Sequence, residues 1–409
     1  MFRNRMAVVK PFAALRPNPE KASRICELPY DVVSSAEAAH IAGGNPLSFF
    51  HVSKPEIDLP PGTDLYSEPV YSKARENFDR LRREGNLQQD GSENFYLYRQ
   101  VMGSHAQTGF VAAVSCQEYL DGIIKKHEFT RPDKEDDRLK HIEVLNAQTG
   151  PAFLVYRATR ELDGVIEQIS KKAPEIDFVA ADRVRHSAWT ISDREGVKAI
   201  EQLFRNVPCL YIADGHHRSA AAGRAYQRRK GAGPSSLFLA VIFPHSQVRI
   251  LPYNRVLKDL NGASAEAFME RLKTVFTIEK ASAPEPNAVH EVGLYIGGRW
   301  WRLRFKPNLF TSSSPVENLD AALLQKHVLA PLLGIDDPRT SKRIDFVGGI
   351  RGTGELEKLV NSGDYACAFA MYPTSIQELM SVADAGGIMP PKSTWFEPKL
   401  RDGMFSHLI

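Results

Sequence analysis

The chain has 409 residues, 43% hydrophobic and 25% charged, with 52 basic against 49 acidic side chains and a formal net charge of +3. That length exceeds one ordinary core, so two or three domains are expected. The near balance of charge argues against nucleic acid as a partner, which normally calls for a strongly basic face. Cys26, Cys116, Cys209 and Cys367 show no CxxC spacing, which disfavours a disulfide framework or zinc knuckle and fits a reducing, cytoplasmic setting. No run approaches the roughly eighteen apolar residues of a membrane span, and "MFRNRMAVVKPF" is a poor signal peptide.

Residues 1–90 are proline-rich and irregular, apart from one short helix and "SEPVYSKARENFDRLRREG". In the latter, Val70, Ala74, Phe78 and Leu81 fall at helical spacing and Gly85 is a stop. This region cannot build much core alone and is expected to pack on the residues beyond 90. From 94 onward, "NFYLYRQVM" and "GFVAAVSCQEYL" predict strands. "KKHEFTRPDKEDDRLKHIEVLNAQTG" predicts a loop into a helix, with Thr130 as cap, Pro132 in the first turn and Asp133 three residues after the cap. "PAFLVYRA" comes next as a buried strand, and "TISDREGVKAIEQLF" as a helix with a Ser192–Glu195 capping box. "VPCLYIA" is an apolar strand, "RSAAAGRAYQRR" a helix, and "SSLFLAVIF" and "VRILPYNRV" are strands. Beyond them come a helix, a hairpin about Gly297-Gly298, a helix that Pro331 should kink or end, and a Ser375-initiated capping box. The pattern is that of an α+β protein divided at 1–90, 91–255 and 256–409.

The densest chemistry lies in "LYIADGHHRSAAAGRAYQRRK", residues 210–230. An apolar strand meets a glycine turn, and an alanine-rich helix starts at once. The first turn of that helix offers unpaired N–H groups and the positive end of the dipole, a common phosphate site. His216, His217 and Arg218 would add donors there. Asp214 could cap the helix, hold a histidine tautomer or coordinate Mg²⁺. A zinc site is disfavoured, because adjacent histidines rarely point at one metal and no HExxH or second His pair is present. In the second stretch, Arg131, Lys134, Arg138, His141 and Leu145 are spaced 3, 4, 3 and 4 along one helix face. That face is expected to turn inward, where its cations would need a carboxylate or a bound anion. His127 and Glu128 stand just ahead of it, and Glu128 is a sensible general base for a substrate hydroxyl. Tyr30 and Asp31, His186 and Trp189, and the loop Lys392–Ser393–Thr394 are weaker candidates for which a structural role is favoured. Walker A, GxGxxG, GxSxG and kinase signatures are all absent, so any nucleotide is handled by another route.

Asp214-Gly215-His216-His217-Arg218 resembles the phosphate-binding turn of the ParB/sulfiredoxin-like superfamily, which includes partitioning CTPases, sulfiredoxins and free serine kinases. The serine kinases carry the nearest version and an upstream glutamate base, whose place in order Glu128 occupies. The whole chain is also similar to a bacterial and archaeal family known mainly as a domain of unknown function, through "PYDVV", "KKHEFTRPDKEDDRLKHIEVLNAQTGPAFLVY", "IADGHHRSAAA", "LPYNRV" and "MPPKSTWFEPKL". These resemblances imply a ParB/sulfiredoxin-like core followed by a C-terminal α+β domain. They also imply nucleotide-dependent phosphoryl transfer to or from a small hydroxyl substrate, serine or phosphoserine, with ATP or ADP and Mg²⁺. Glu128, His217 and Asp214 would be catalytic, with Asp214 on the metal. Gly215, His216 and Arg218 would hold the nucleotide phosphates, and Arg131, Lys134 and Arg138 the substrate. The alternatives are a phosphohydrolase at the same site and a nucleotide-gated or DNA-binding regulator of the ParB type. Three departures stand out: a long insertion separates Glu128 from Asp214, the C-terminal 150 or so residues have no sulfiredoxin counterpart, and position 216 is histidine where sulfiredoxins have their catalytic cysteine.

Overall fold

The apolar runs between 94 and 244 pair into one nine-stranded mixed sheet in a computed structural model that describes residues 7–231 and 233–409. From one edge its order is Ile124–Lys125, Leu210–Asp214, Ala152–Tyr156, Leu237–Pro244, His105–Ser115, Phe95–Met102, Arg185–Ile191 and Ile176–Val179, with Val9–Lys10 joined to His105–Ser115. Ala152–Tyr156 and Leu237–Pro244 run parallel, and all five residues of the first are buried. Unbroken apolar sequence suits strands covered on both faces. Phe110, Leu154 and Ile242 join Leu162 and Ile166 of helix Arg160–Ser170 and Ile200 and Phe204 of helix Arg194–Phe204 in one core.

Two compact units result. One comprises the residues up to Val248 together with Pro398–Ile409, and the other is Arg249–Glu397. The divisions expected at 90 and 255 therefore differ from those observed. Helix Glu68–Arg83 buries Val70, Ala74, Phe78 and Leu81, as its spacing predicts. Phe78 and Leu81 cluster with Leu15, Phe49 and Val52, but also with Leu145 and Ala147. The first 90 residues thus complete a core with residues near 145. The chain end returns to the same unit: Ser406 bridges Leu15, Asp402 bridges Glu27, and His407–Leu408 pairs with Ala147–Gln148.

Helices Pro132–Leu145 and His216–Arg228 pack on each other through Leu139 and Ile142 against Ala221 and Ala225. Small alanines permit that approach. Arg224 pairs with Glu135 and Asp136, and Arg228 with Glu143. The charges on both helices are therefore largely partnered within the molecule.

Two helix starts differ from expectation. Arg131, not Thr130, is the N-cap of Pro132–Leu145, and it makes no side-chain cap bond. The Thr130 hydroxyl is instead taken by Glu135. Asp193, not Ser192, caps Arg194–Phe204 by accepting from the Gly196 amide at 2.7 Å, since the helix begins one residue later than the box requires. The Ser375–Glu378 box is present.

The second unit is built on a six-stranded antiparallel sheet. Its hairpin Glu291–Ile296/Arg299–Phe305 turns through Gly297 and Gly298, both at positive φ. Helix Asp320–Leu324 passes into a π-turn at Gln325–Leu329 that ends ahead of Pro331.

Phe78 is fully buried beneath the first unit's helices. Phe78→Ala should cost about 3–5 kcal/mol of stability, read as a lower denaturant midpoint. An unchanged midpoint would show that the N-terminal segment is not part of this core.

Candidate functional site

Strand Ile124–Lys125 lies parallel to Leu210–Asp214, with Leu210 opposite Ile124 and Tyr211 opposite Lys125. Carrying that register forward brings His127 and Glu128 alongside the end of the second strand and the start of helix His216–Arg228. The geometry agrees: the His127 and His216 rings lie edge to face, with centroids 4.5 Å apart, and Glu128 Oε2 is 3.8 Å from His216 Nδ1. Both histidines are buried, whereas the Glu128 side chain is 43% exposed. Two stretches far apart in sequence thus share one corner of the sheet.

The turn itself depends on Gly215. Its φ of 88° is left-handed, and a Cβ there would lie 3.1 Å from Arg218 Nε and 3.3 Å from the Ala152 Cα. No side chain caps the helix at this end.

Asp214 is positioned differently from expectation. Its Oδ1 accepts from the Gly215 amide at 2.8 Å, its Oδ2 accepts from Lys399 at 3.1 Å, and Arg218 stands 3.9 Å away. Burial alone would raise its pKa, but Lys399 and Arg218 hold the carboxyl well below the ordinary range. A carboxylate engaged by an amide and two cations does not fit a direct Mg²⁺ ligand, which needs open oxygen lone pairs and no adjacent positive charge. In this place Asp214 ties the Gly215 amide to Lys399. Lys399, which meets Asp214, carries no local motif; its one signal is the charged stretch Lys399–Leu400–Arg401–Asp402.

His216 and His217 diverge. His216 faces His127, while His217 Nε2 accepts from the Arg131 amide at 3.1 Å. Burial depresses the pKa of both, and it pushes His127 down to about 4. The expectation that two adjacent histidines would not converge on one point holds, yet a second imidazole arrives from His127.

Arg218 turns back beneath the turn. Nη1 donates to the Pro151 carbonyl at 2.6 Å, and Nη2 is 3.8 Å from Asp31. Burial would lower its pKa, but Asp31, Asp214 and Asp402 raise it overall. Arg218 also lines a cavity with Arg138, Tyr30, Ser53, Thr149 and Asp402 that gives about 30 Å³ to the centres of water-sized molecules. The Arg138 guanidinium stacks 3.9 Å from the Tyr30 ring and donates to Asp137. Arg218 Nε, Asp402 Oδ1 and Ser53 Oγ are buried without a hydrogen-bond partner. Tyr30 thus lines the cavity, and Asp31 faces Arg218 beside it.

Of the three expected substrate cations, only Arg138 lines this cavity. Arg131 precedes Pro132 with extended backbone, outside the helical repeat, and pairs with Asp133. Lys134 donates to the Tyr66 hydroxyl. His186 and Trp189 are structural: His186 bonds Tyr98 and Arg401, and Trp189 donates to the Lys172 carbonyl. Lys392 lies in the second unit over the Tyr253 ring.

Burial raises the Asp402 carboxyl to about 7, with Arg218 opposing the shift. Unfolded aspartate ionises near pH 4, so a raised folded value gives stability that is full below about pH 4 and lost as pH rises through 7. Asp402→Asn removes this dependence. Its stability relative to wild type should rise by up to a few kcal/mol between about pH 4 and 7, measured by denaturation at each pH. A constant difference would contradict a raised Asp402.

No curated protein matches the chain by sequence. Among solved structures it is similar to a free serine kinase in complex with AMP, at 14% identity and a TM-score of 0.37 over 70% of this chain and 86% of that one. It is also similar to C-terminally truncated SbnI from Staphylococcus aureus, at 12% and 0.39 over 71% and 85%. A conserved hypothetical protein from Pyrococcus furiosus gives 15% and 0.36 over 71% and 93%. Likeness this distant carries neither activity nor ligand across. Residues 9–322 match the family described as protein of unknown function DUF1015, and the chain belongs to that family.

Proposed function

We propose that the first unit carries a ParB/sulfiredoxin-like core and transfers a phosphoryl group between an adenine nucleotide, ATP or ADP, and a small hydroxyl compound, with serine or phosphoserine as the substrate. The observation that carries this reading is the partly exposed Glu128 carboxylate beside the uncapped start of helix His216–Arg228. The resemblance of the Asp214–Arg218 turn to that of free serine kinases supports it.

In this reading the first-turn amides receive the nucleotide phosphates, and Lys399 and the helix dipole offset their charge. Phosphoryl transfer asks mainly for positioning and charge stabilisation. Glu128 takes the proton from the attacking hydroxyl. His217, held by the Arg131 amide, contributes a donor at the mouth of the turn. The Arg138 and Arg218 guanidinium groups receive the substrate carboxylate at the cavity, while Asp402 faces its ammonium. Asp214 keeps Lys399 and the turn in place, and no step is assigned to a metal on Asp214.

Incubation with serine and ATP should yield phosphoserine and ADP, and phosphoserine with ADP should yield ATP. Glu128→Gln should lower turnover by about 10²–10⁴-fold while nucleotide affinity measured by calorimetry stays nearly unchanged. Inorganic phosphate released without an acceptor would replace transfer by hydrolysis. Nucleotide affinity lost in the Gln variant would make Glu128 structural.

A further inference from the structure

His127, Glu128 and His216 each present a ligand atom within 4.8 Å of the others, the one such histidine–carboxylate trio among the described residues. His127 is 2% and His216 6% exposed. Neither ring nitrogen of His127, nor Nε2 of His216, makes a well-formed hydrogen bond. The Ile212 carbonyl is near enough to His127 to offset part of the effect of burial, and it can orient the ring without using both nitrogens. A buried imidazole nitrogen without a partner costs about 1–3 kcal/mol, and a single ion can take one nitrogen from each ring. The two rings meet edge to face, with centroids 4.5 Å apart. Glu128, the more exposed member, gives the trio a path to solvent.

We propose that His127, Glu128 and His216 form a binding site for a transition-metal ion of the zinc class. Two imidazoles and one carboxylate select borderline ions such as Zn²⁺ or Co²⁺ over Mg²⁺ and Ca²⁺, which take oxygen ligands. Three protein ligands leave a fourth position open to water or a substrate oxygen. His217 is not a member, because its Nε2 is already occupied by the Arg131 amide. The site stands independently of phosphoryl transfer. If Glu128 is also the base, which rests on the function proposed above, metal occupancy lowers the basicity of its carboxylate and slows that reaction.

The test uses the full chain, stripped with a chelator and titrated with Zn²⁺ by calorimetry and with Co²⁺ by visible absorption. One equivalent should bind, and the Co²⁺ form should show the intense d–d bands of a tetrahedral or five-coordinate site. His127→Ala and His216→Ala should each weaken binding by about a hundredfold or more, on the scale of lost ligand-shell contacts; His105→Ala should not. Because the buried histidine variants could lose their fold, Glu128→Gln, at a partly exposed position, provides a further variant and should weaken binding and alter the Co²⁺ spectrum. No saturable one-to-one binding, octahedral Co²⁺ bands only, or binding unchanged in Glu128→Gln would overturn the site. Tight metal binding, with no serine phosphorylation by the chelator-stripped protein resupplied with Mg²⁺ alone, would sink the phosphoryl-transfer reading alone, and phosphorylation without metal binding would sink the metal site alone.

Discussion

The candidate site depends on a pairing only two residues long on each side, Ile124–Lys125 against Leu210–Tyr211. Neither His127 nor Glu128 would approach the Asp214–Arg218 turn without it. The intervening chain is long, but closing a long loop costs only slightly more than closing a medium one. It is also not a loose insertion. Ala152–Tyr156, Ile176–Val179 and Arg185–Ile191 all come from it and supply interior and far-edge strands of the same sheet. The segment that separates the two halves of the site in sequence is the platform that joins them in space.

Charge around the turn is arranged by mutual compensation rather than by single pairs. Arg218 lies near Asp31 and Asp214 and shares a cavity with Asp402 and Arg138. Lys399 answers Asp214 from the other end of the chain. Buried charges persist only when partnered, and removing one partner commonly costs about 3–5 kcal/mol. The network therefore binds the residues near 30, the helix at 132, the turn at 214 and the tail at 399 into one electrostatic unit. This explains why the N-terminal segment and the last residues fold with the sheet rather than apart from it.

Local features are well readable in the sequence. The amphipathic spacing of Val70, Ala74, Phe78 and Leu81, the Gly297-Gly298 hairpin and the Ser375–Glu378 cap each rest on neighbours a few residues apart, and each is observed. The strand–glycine–helix at 210–216 is readable for the same reason. Features that depend on distant chain are not. Lys399 and Asp402 carry no local pattern that names Asp214 or Arg218 as partners. Arg131 obeys the helical spacing but not the helix, because Pro132 starts the helix after it. His127 looks incidental beside Glu128, since only the sheet register reveals that it meets His216.

The same register sets a chemical constraint on Glu128. A general base for a hydroxyl must keep a lone pair open to substrate, and its partial exposure beside the helix start provides that. A metal ligand must instead point that lone pair at the two imidazoles, inward and away from solvent. A carboxylate bound to a metal through one oxygen is a weaker base at the other, so the two roles compete at Glu128. His127 and His216, by contrast, are buried. In the readings proposed above, the competition between metal and proton at this corner therefore falls on Glu128.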